Sequence, residues 1–475
     1  MSEQRPAKAI RFPVVLAIAA AATGVIPVFL TGALTVQIRR QLHFSADGLG
    51  LVVAIFFFFA IPGSLVAGQL ADRSGPSLLM RLGSLGSALC LGGVALLAHS
   101  FLVLALLLGI AGFTDGLIQP AVNSFLAGRV RHERQGLAFG VKQSGIPLST
   151  LLGGLAVPVL ALTVGWRWAF VAAAGLALLT VIVLPSKARL AQSRLPGEAA
   201  LPGEPAGLAT SGDRGSPGDG GLSRAPDSSV DLPLAVSSEA EGLQAPLAPV
   251  VAPAVAPGTW RDRPVRGQGE PRARAPRVYL PPLLVLAAAV GIGAGAANSL
   301  GAFLVSGAVA AHLAEGTAGL LSAFGSVCGL TSRVVVGARA DSRSGGHLRV
   351  VAVMLLLGAG GYGLLATEIG PLMLVGAALA FAAGWGWNGL FNFAVVRTHP
   401  EAPGKATAIT QSGIFAGAVL IPPTFGLVVA HVSYGAAWLM AAVLVVVASG
   451  VVLLGREWLI RSADGSPGRA TISRP

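Results

Sequence analysis

Asp115 is the residue of this 475-residue chain whose setting most demands a chemical role. It lies about 14 residues into an otherwise apolar run, 101–127, whereas the other acidic residues fall in polar stretches or near the ends of such runs. At that depth in a bilayer an ionised carboxylate costs about 2.5–3.5 kcal/mol on insertion scales, so the group faces a cavity or carries a proton. Three chemistries fit: proton coupling, a counter-ion for a cationic solute, or a protonated acid hydrogen-bonded to a neighbouring helix. Gln119 and Asn123 follow at four-residue intervals, and residues so spaced drift only about 40° per step around a helix, giving one polar stripe. Gln143 and Gln411 each open a Gln-Ser-Gly-Ile stretch, where they contact a solute, cap a cavity or simply pack. Arg333 stands near the end of another apolar run, either snorkelling to the interface or pointing inward, where it would favour an anionic solute.

Twelve apolar runs must position these groups: 12–37, 48–71, 77–98, 101–127, 136–163, 166–185, 279–306, 316–338, 348–367, 371–396, 405–430 and 434–455. Each approaches or exceeds the roughly 20 residues that span a hydrocarbon core. The composition agrees, 53% hydrophobic and 11% charged, against about 25% charged in an ordinary soluble domain. The first run exceeds the roughly 7–15 residues of a signal-peptide core and is expected to stay as a helix. Twelve spans put both termini on one side. Threaded so, 30 of the 33 Lys and Arg residues share that side, Lys142 and Arg333 counted among them, and Arg39, Arg40 and Arg167 lie opposite. The positive-inside rule then makes the termini cytoplasmic and the chain a multi-pass protein of the cell membrane, inner or plasma. The net charge of +12 is therefore a topology signal spread over short loops, and no nucleic-acid patch is expected. Cys90 and Cys328 lie inside apolar runs, with no spacing that argues for a disulfide or a metal site, and no cofactor is expected.

The expected organisation is a six-helix bundle over 1–185, a linker over 186–278, a second bundle over 279–456 and a cytoplasmic tail over 457–475. The linker holds 13 Pro and 12 Gly in 93 residues, a composition too poor in apolar periodicity to offset the entropy of ordering, and reads as disordered. The six Arg from Arg261 to Arg277 set topology or touch anionic lipid.

The two bundles echo one another. Gly68-Gln-Leu-Ala-Asp72-Arg73-Ser-Gly75 follows the second run, and Gly337-Ala-Arg339-Ala-Asp341-Ser-Arg343-Ser-Gly345 follows the eighth; the two Gln-Ser-Gly-Ile stretches repeat at nearly the same offset. Parallel repeats of this kind are a plan of secondary transporters. The first stretch resembles the signature of the major facilitator superfamily, G-x-L-A-D-R-x-G-R-[KR]-x-x-L, with Pro76 and Ser77 standing where two basic residues are usual. Gly165-Trp-Arg-Trp-Ala-Phe170 and Lys142-Gln-Ser-Gly-Ile-Pro147 are similar to that family as well. The resemblance covers everything except the linker and tails. It implies an all-α membrane fold of twelve transmembrane helices in two pseudo-symmetric six-helix bundles, working as a monomer.

The resemblance also implies that helices 1, 4, 7 and 10 line a central cavity. In this chain those helices carry Thr31 with Thr23 and Thr35; Asp115, Gln119 and Asn123; Asn298 and Ser306; and Trp385, Asn388 and Asn392. By the same resemblance Asp72 latches the halves with Arg129 as partner, and Asp341 with Arg397 is the counterpart. A carboxylate at a helix end can accept from a helix N-terminus or from an arginine, which is the physics such a latch needs.

The expected activity is secondary transport of a small solute by alternating access, with protons coupled through Asp115 in symport or antiport. A proton-independent facilitator and a membrane sensor or scaffold using the linker stay open. No G-x-x-x-x-G-K-[ST] motif supports ATP hydrolysis, and one midplane carboxylate does not make an aspartyl protease, so no enzyme is expected.

Overall fold

A computed structural model describes residues 6–127, 135–184, 279–343, 345–400 and 402–464. The expected linker over 186–278 and Arg129 lie outside those residues, and so do the side chains of Asp72 and Arg73. Among the described residues twelve helices are long and apolar enough to cross a membrane. They are α1 Val14–Ala33, α2 Ala46–Ala67, α3 Pro76–Leu97, α4 Phe101–Phe125, α5 Gly136–Ala161, α6 Trp166–Val183, α7 Leu280–Ala310, α8 Glu315–Asp341, α9 His347–Leu365, α10 Gly370–Thr398, α11 Pro403–His431 and α12 Tyr434–Ser462.

Packing repeats with the sequence. In the first half α1 packs on α5, α2 on α4 and α3 on α6; in the second α7 packs on α11, α8 on α10 and α9 on α12. The halves meet through the equivalent pairs α2 with α11 and α5 with α8, and through α1 with α7. Leu89, Leu96, Leu102, Ile182, Leu420 and Leu454 are largely exposed, a surface suited to lipid rather than water. Between helices alanines such as Ala17, Ala20, Ala289, Ala297 and Ala308 are fully buried beside large aromatics such as Phe29, Phe303 and Trp387, the small residues letting helices in lipid pack closely. The loop after α2 shows why a glycine is required there. Gly75 has φ of 80° and starts α3, and its structural counterpart is Gly346, with φ of 79°, at the start of α9. The echo in the sequence ends one residue earlier, at Gly345.

Several elements depart from the expected runs. The fifth breaks at Ser144 and passes into a π turn at Val157–Ala161. The first run breaks at Leu34, and Thr35–Leu42 forms a separate short helix. The twelfth helix continues to Asp464, into the expected tail. The tenth is interrupted: helix Gly370–Leu379 passes into a π turn at Ala380–Gly384, the chain turns through Trp385 to Trp387, and helix resumes at Asn388. Ser332 of α8 donates to the carbonyl of Ala382 at 2.5 Å, and the Trp387 indole donates to that of Gly384 at 2.8 Å. Irregular backbone at membrane depth persists only where protein satisfies the freed groups, and these two bonds do so.

Candidate functional site

Asp115 sits in the interior of α4 and is 1% exposed. Gln119, one turn on, donates from Nε2 to Asp115 Oδ1 at 2.9 Å. The carboxylate lies against α1 at Gly24, where a Cβ would strike Oδ1. From α5, Lys142 faces it closely enough for the two charges to act on one another. Lys142 is only 7% exposed. Its assignment to the cytoplasmic loops is therefore corrected: it is a buried cation inside the fifth span, and Asp115 is not the lone charge of the interior. The available signal was its place seven residues into the 136–163 run.

Of the two placements open for Arg333 of α8, the structure has the inward one. It is 1% exposed and does not snorkel. Its Nη1 donates to the backbone carbonyl of Gln143, and its Nη2 donates to that of Trp385 at 2.9 Å. Both acceptors have a local cause. The Gln143 carbonyl would normally receive the N–H of residue 147, but that residue is Pro147 and has none. The Trp385 carbonyl stands in the break of α10, just before the helix resumes. One guanidinium thus joins α8 and α10 of the second half to α5 of the first. Its Cζ lies 5.7 Å from the centroid of the Trp385 ring, which meets Phe29 of α1 edge-on at 5.4 Å. Gln143, expected as a cavity residue, enters this cluster through its carbonyl.

The other expected residues make no side-chain hydrogen bond to this cluster among the described residues. Thr31 donates to its own helix at the Pro27 carbonyl, 2.8 Å, and Asn298 likewise to Ala294, 2.9 Å. Asn388 is buried, and its Oδ1 has no partner. Asn392 and Gln411 are half-buried, and Asn123 is exposed.

Two polar links tie the halves at opposite ends of α8. At its last residue, Asp341 accepts from the amides of Gly136 at 2.7 Å and Leu137 at 3.0 Å, capping the start of α5. Gly136 leaves room for this, since a Cβ there would meet Oδ1 at 2.7 Å. No ion pair joins Asp341 to Arg397 among the described residues; Arg397 lies over the Phe393 ring at 5.0 Å instead. At the first residue of α8, Glu315 pairs with Arg40 and accepts from Gln37 Nε2 at 2.6 Å. The sequence reading did not single out this second link, whose partners are separated by about 275 residues.

Residues 14–249 match the sequence profile of the Major Facilitator Superfamily. The chain is similar to the "Multidrug resistance protein MdtG" of Enterobacter lignolyticus, 37% identical over 123 residues, which is 26% of this chain and 28% of that relative. It is equally similar to the protein of the same name from Salmonella arizonae, 37% identical over 123 residues, 26% of this chain and 30% of the relative. The chain thus spans less than a third of the length of these relatives.

Proposed function

The chain belongs to the major facilitator superfamily, and from that membership we propose that it is a secondary transporter moving a small solute across the cell membrane by alternating access. Proton movement is coupled to the solute through Asp115, with Gln119 holding its carboxylate and Asn123 continuing the path along α4. The termini are cytoplasmic, the unit is a monomer, and Thr31, Asn298, Trp385, Asn388, Asn392 and Gln411 line the solute path. Gly68, Asp72, Arg73, Gly75, Arg129 and Arg397, with Asp341, belong to the conformational latch.

One observation carries the coupling. Asp115 is an almost fully buried carboxylate, held by Gln119 and opposed by the buried Lys142. A carboxylate so placed is held where loss or gain of one proton changes the charge balance of the interior, which is what coupling requires. The test is solute-driven acidification in proteoliposomes with an internal pH-sensitive dye, across a panel of small organic molecules, for the wild type and Asp115→Asn. Proton flux driven by at least one solute and abolished in the variant is expected. Solute uptake indifferent to both the pH gradient and the variant would make the protein a facilitator.

A further inference from the structure

We propose that Lys142 and Arg333 form an anion-binding subsite, at which the solute docks through a carboxylate, so that the transported class is organic anions with an apolar body. This rests on the transporter reading and names its substrate class.

Lys142 is 93% buried, and its ammonium makes no hydrogen bond and no ion pair among the described residues. An ammonium has three donors, and a buried one without an acceptor is strongly disfavoured. Asp115 acts on it through space, but neither carboxylate oxygen pairs with it, Oδ1 accepting from Gln119 instead. Arg333 comes to the same turn of α5, bonding the carbonyl of Gln143, the residue after Lys142, and its buried Nε has no partner although both terminal nitrogens are used. Asp115 therefore opposes Lys142 while no carboxylate acts on Arg333, leaving positive charge uncompensated there and donors unspent on both. A carboxylate supplies that charge together with two acceptor oxygens. A cation arriving there would meet repulsion from both side chains.

The surroundings describe the rest of the solute. Arg333 lies beside Trp385, which packs with Phe29 and, at 5.7 Å, with Phe381. These rings come from α1 and α10, one helix of each half, and offer an aromatic wall next to the cations. A short inorganic anion would satisfy Lys142 and leave that wall unused.

The test is binding by isothermal titration calorimetry to the purified full chain in nanodiscs. The probes are benzoate, its neutral isostere benzamide, benzylammonium, and chloride and inorganic phosphate, with uptake of the organic members measured in proteoliposomes. Benzoate is expected to bind at least about tenfold tighter than benzamide, benzylammonium or the inorganic ions. Lys142→Gln should remove that preference, and Lys142→Arg, keeping the charge, should retain most of it. Equal affinity for benzamide, or no benzoate binding, overturns the subsite; the wild type alone decides this if Lys142→Gln fails to fold. Chloride or phosphate binding as tightly as benzoate overturns the organic-anion class. Benzoate preference lost in Lys142→Gln, with no solute of any charge crossing the bilayer, supports the subsite and sinks the transporter reading.

Discussion

Arg333 donates to the backbone carbonyl of Gln143, an acceptor left open in the opposite half of the molecule by Pro147. The bond is specified twice: by a proline that withholds a helical donor, and by an arginine long enough to replace it across the interface. The same guanidinium holds the Trp385 carbonyl where α10 breaks. Two irregular helices from different halves are thus tied by one side chain.

Arg333→Gln is expected to lower the melting temperature in detergent, because each orphaned buried carbonyl costs about 1–3 kcal/mol. Arg333→Lys should not restore it, since one ammonium cannot reach both carbonyls in the fork geometry a guanidinium provides. A wild-type melting temperature for Arg333→Lys would show that the charge alone matters.

Asp115→Asn keeps an acceptor for Gln119 and removes the ionisable group. Its melting temperature should stay within a few degrees of wild type, while solute-driven proton flux falls by more than about tenfold, a change worth about 1.4 kcal/mol or more. Retained flux would assign Asp115 to structure alone.

How far this site was legible depends on what each residue needed for recognition. Asp115 announced itself because an acid in the middle of an apolar run has no ordinary explanation. The twelve helices and their repeat were equally plain, since lipid leaves hydropathy as the main constraint on a span. Lys142 was hidden by its position, and Arg333 was left open between two placements by its own. A cation near the end of a span reads as a topology signal, and only the neighbouring helices decide whether it turns outward or inward. The role of Pro147 is invisible until its orphaned carbonyl has a tertiary partner. The break in α10 left no trace in hydropathy, because Ala380 to Trp387 is as apolar as a continuous helix would be.

His399 gives a pH prediction outside the spans. It follows α10, is 2% exposed, and has its Nε2 without a partner. Burial holds its imidazole below the usual value of 6.5. The unfolded chain then takes up this proton more readily than the folded one, so stability is intact above about pH 6.5 and falls as pH drops below it. The melting temperature should decline from pH 7 to pH 5, and by less in His399→Asn. Equal declines would place the titrating group elsewhere.

The two ends of α8 make opposing predictions. Glu315 and Asp341 are its first and last residues, and a helix of that length sets them about 39 Å apart at 1.5 Å per residue. Each clamps to the first half, Glu315 to Arg40 and Gln37, Asp341 to the start of α5, and both links are closed here. Alternating access requires one to open while the other holds. Asp341 caps helical amides, a contact worth about 0.3–1 kcal/mol and up to about 2 when partly buried. The Arg40 side chain is 64% exposed, so its pair with Glu315 is weaker, about 0–1 kcal/mol, and screened by salt. Asp341→Asn should therefore raise the population open at the Asp341 end by several-fold. Glu315→Gln should shift it the other way by a smaller factor that vanishes at high salt. Spin-label distances across each end measure both populations, and the double variant should fall between the wild type and Asp341→Asn. Shifts of the same sign from the two single variants would mean that α8 does not rock as one rigid lever.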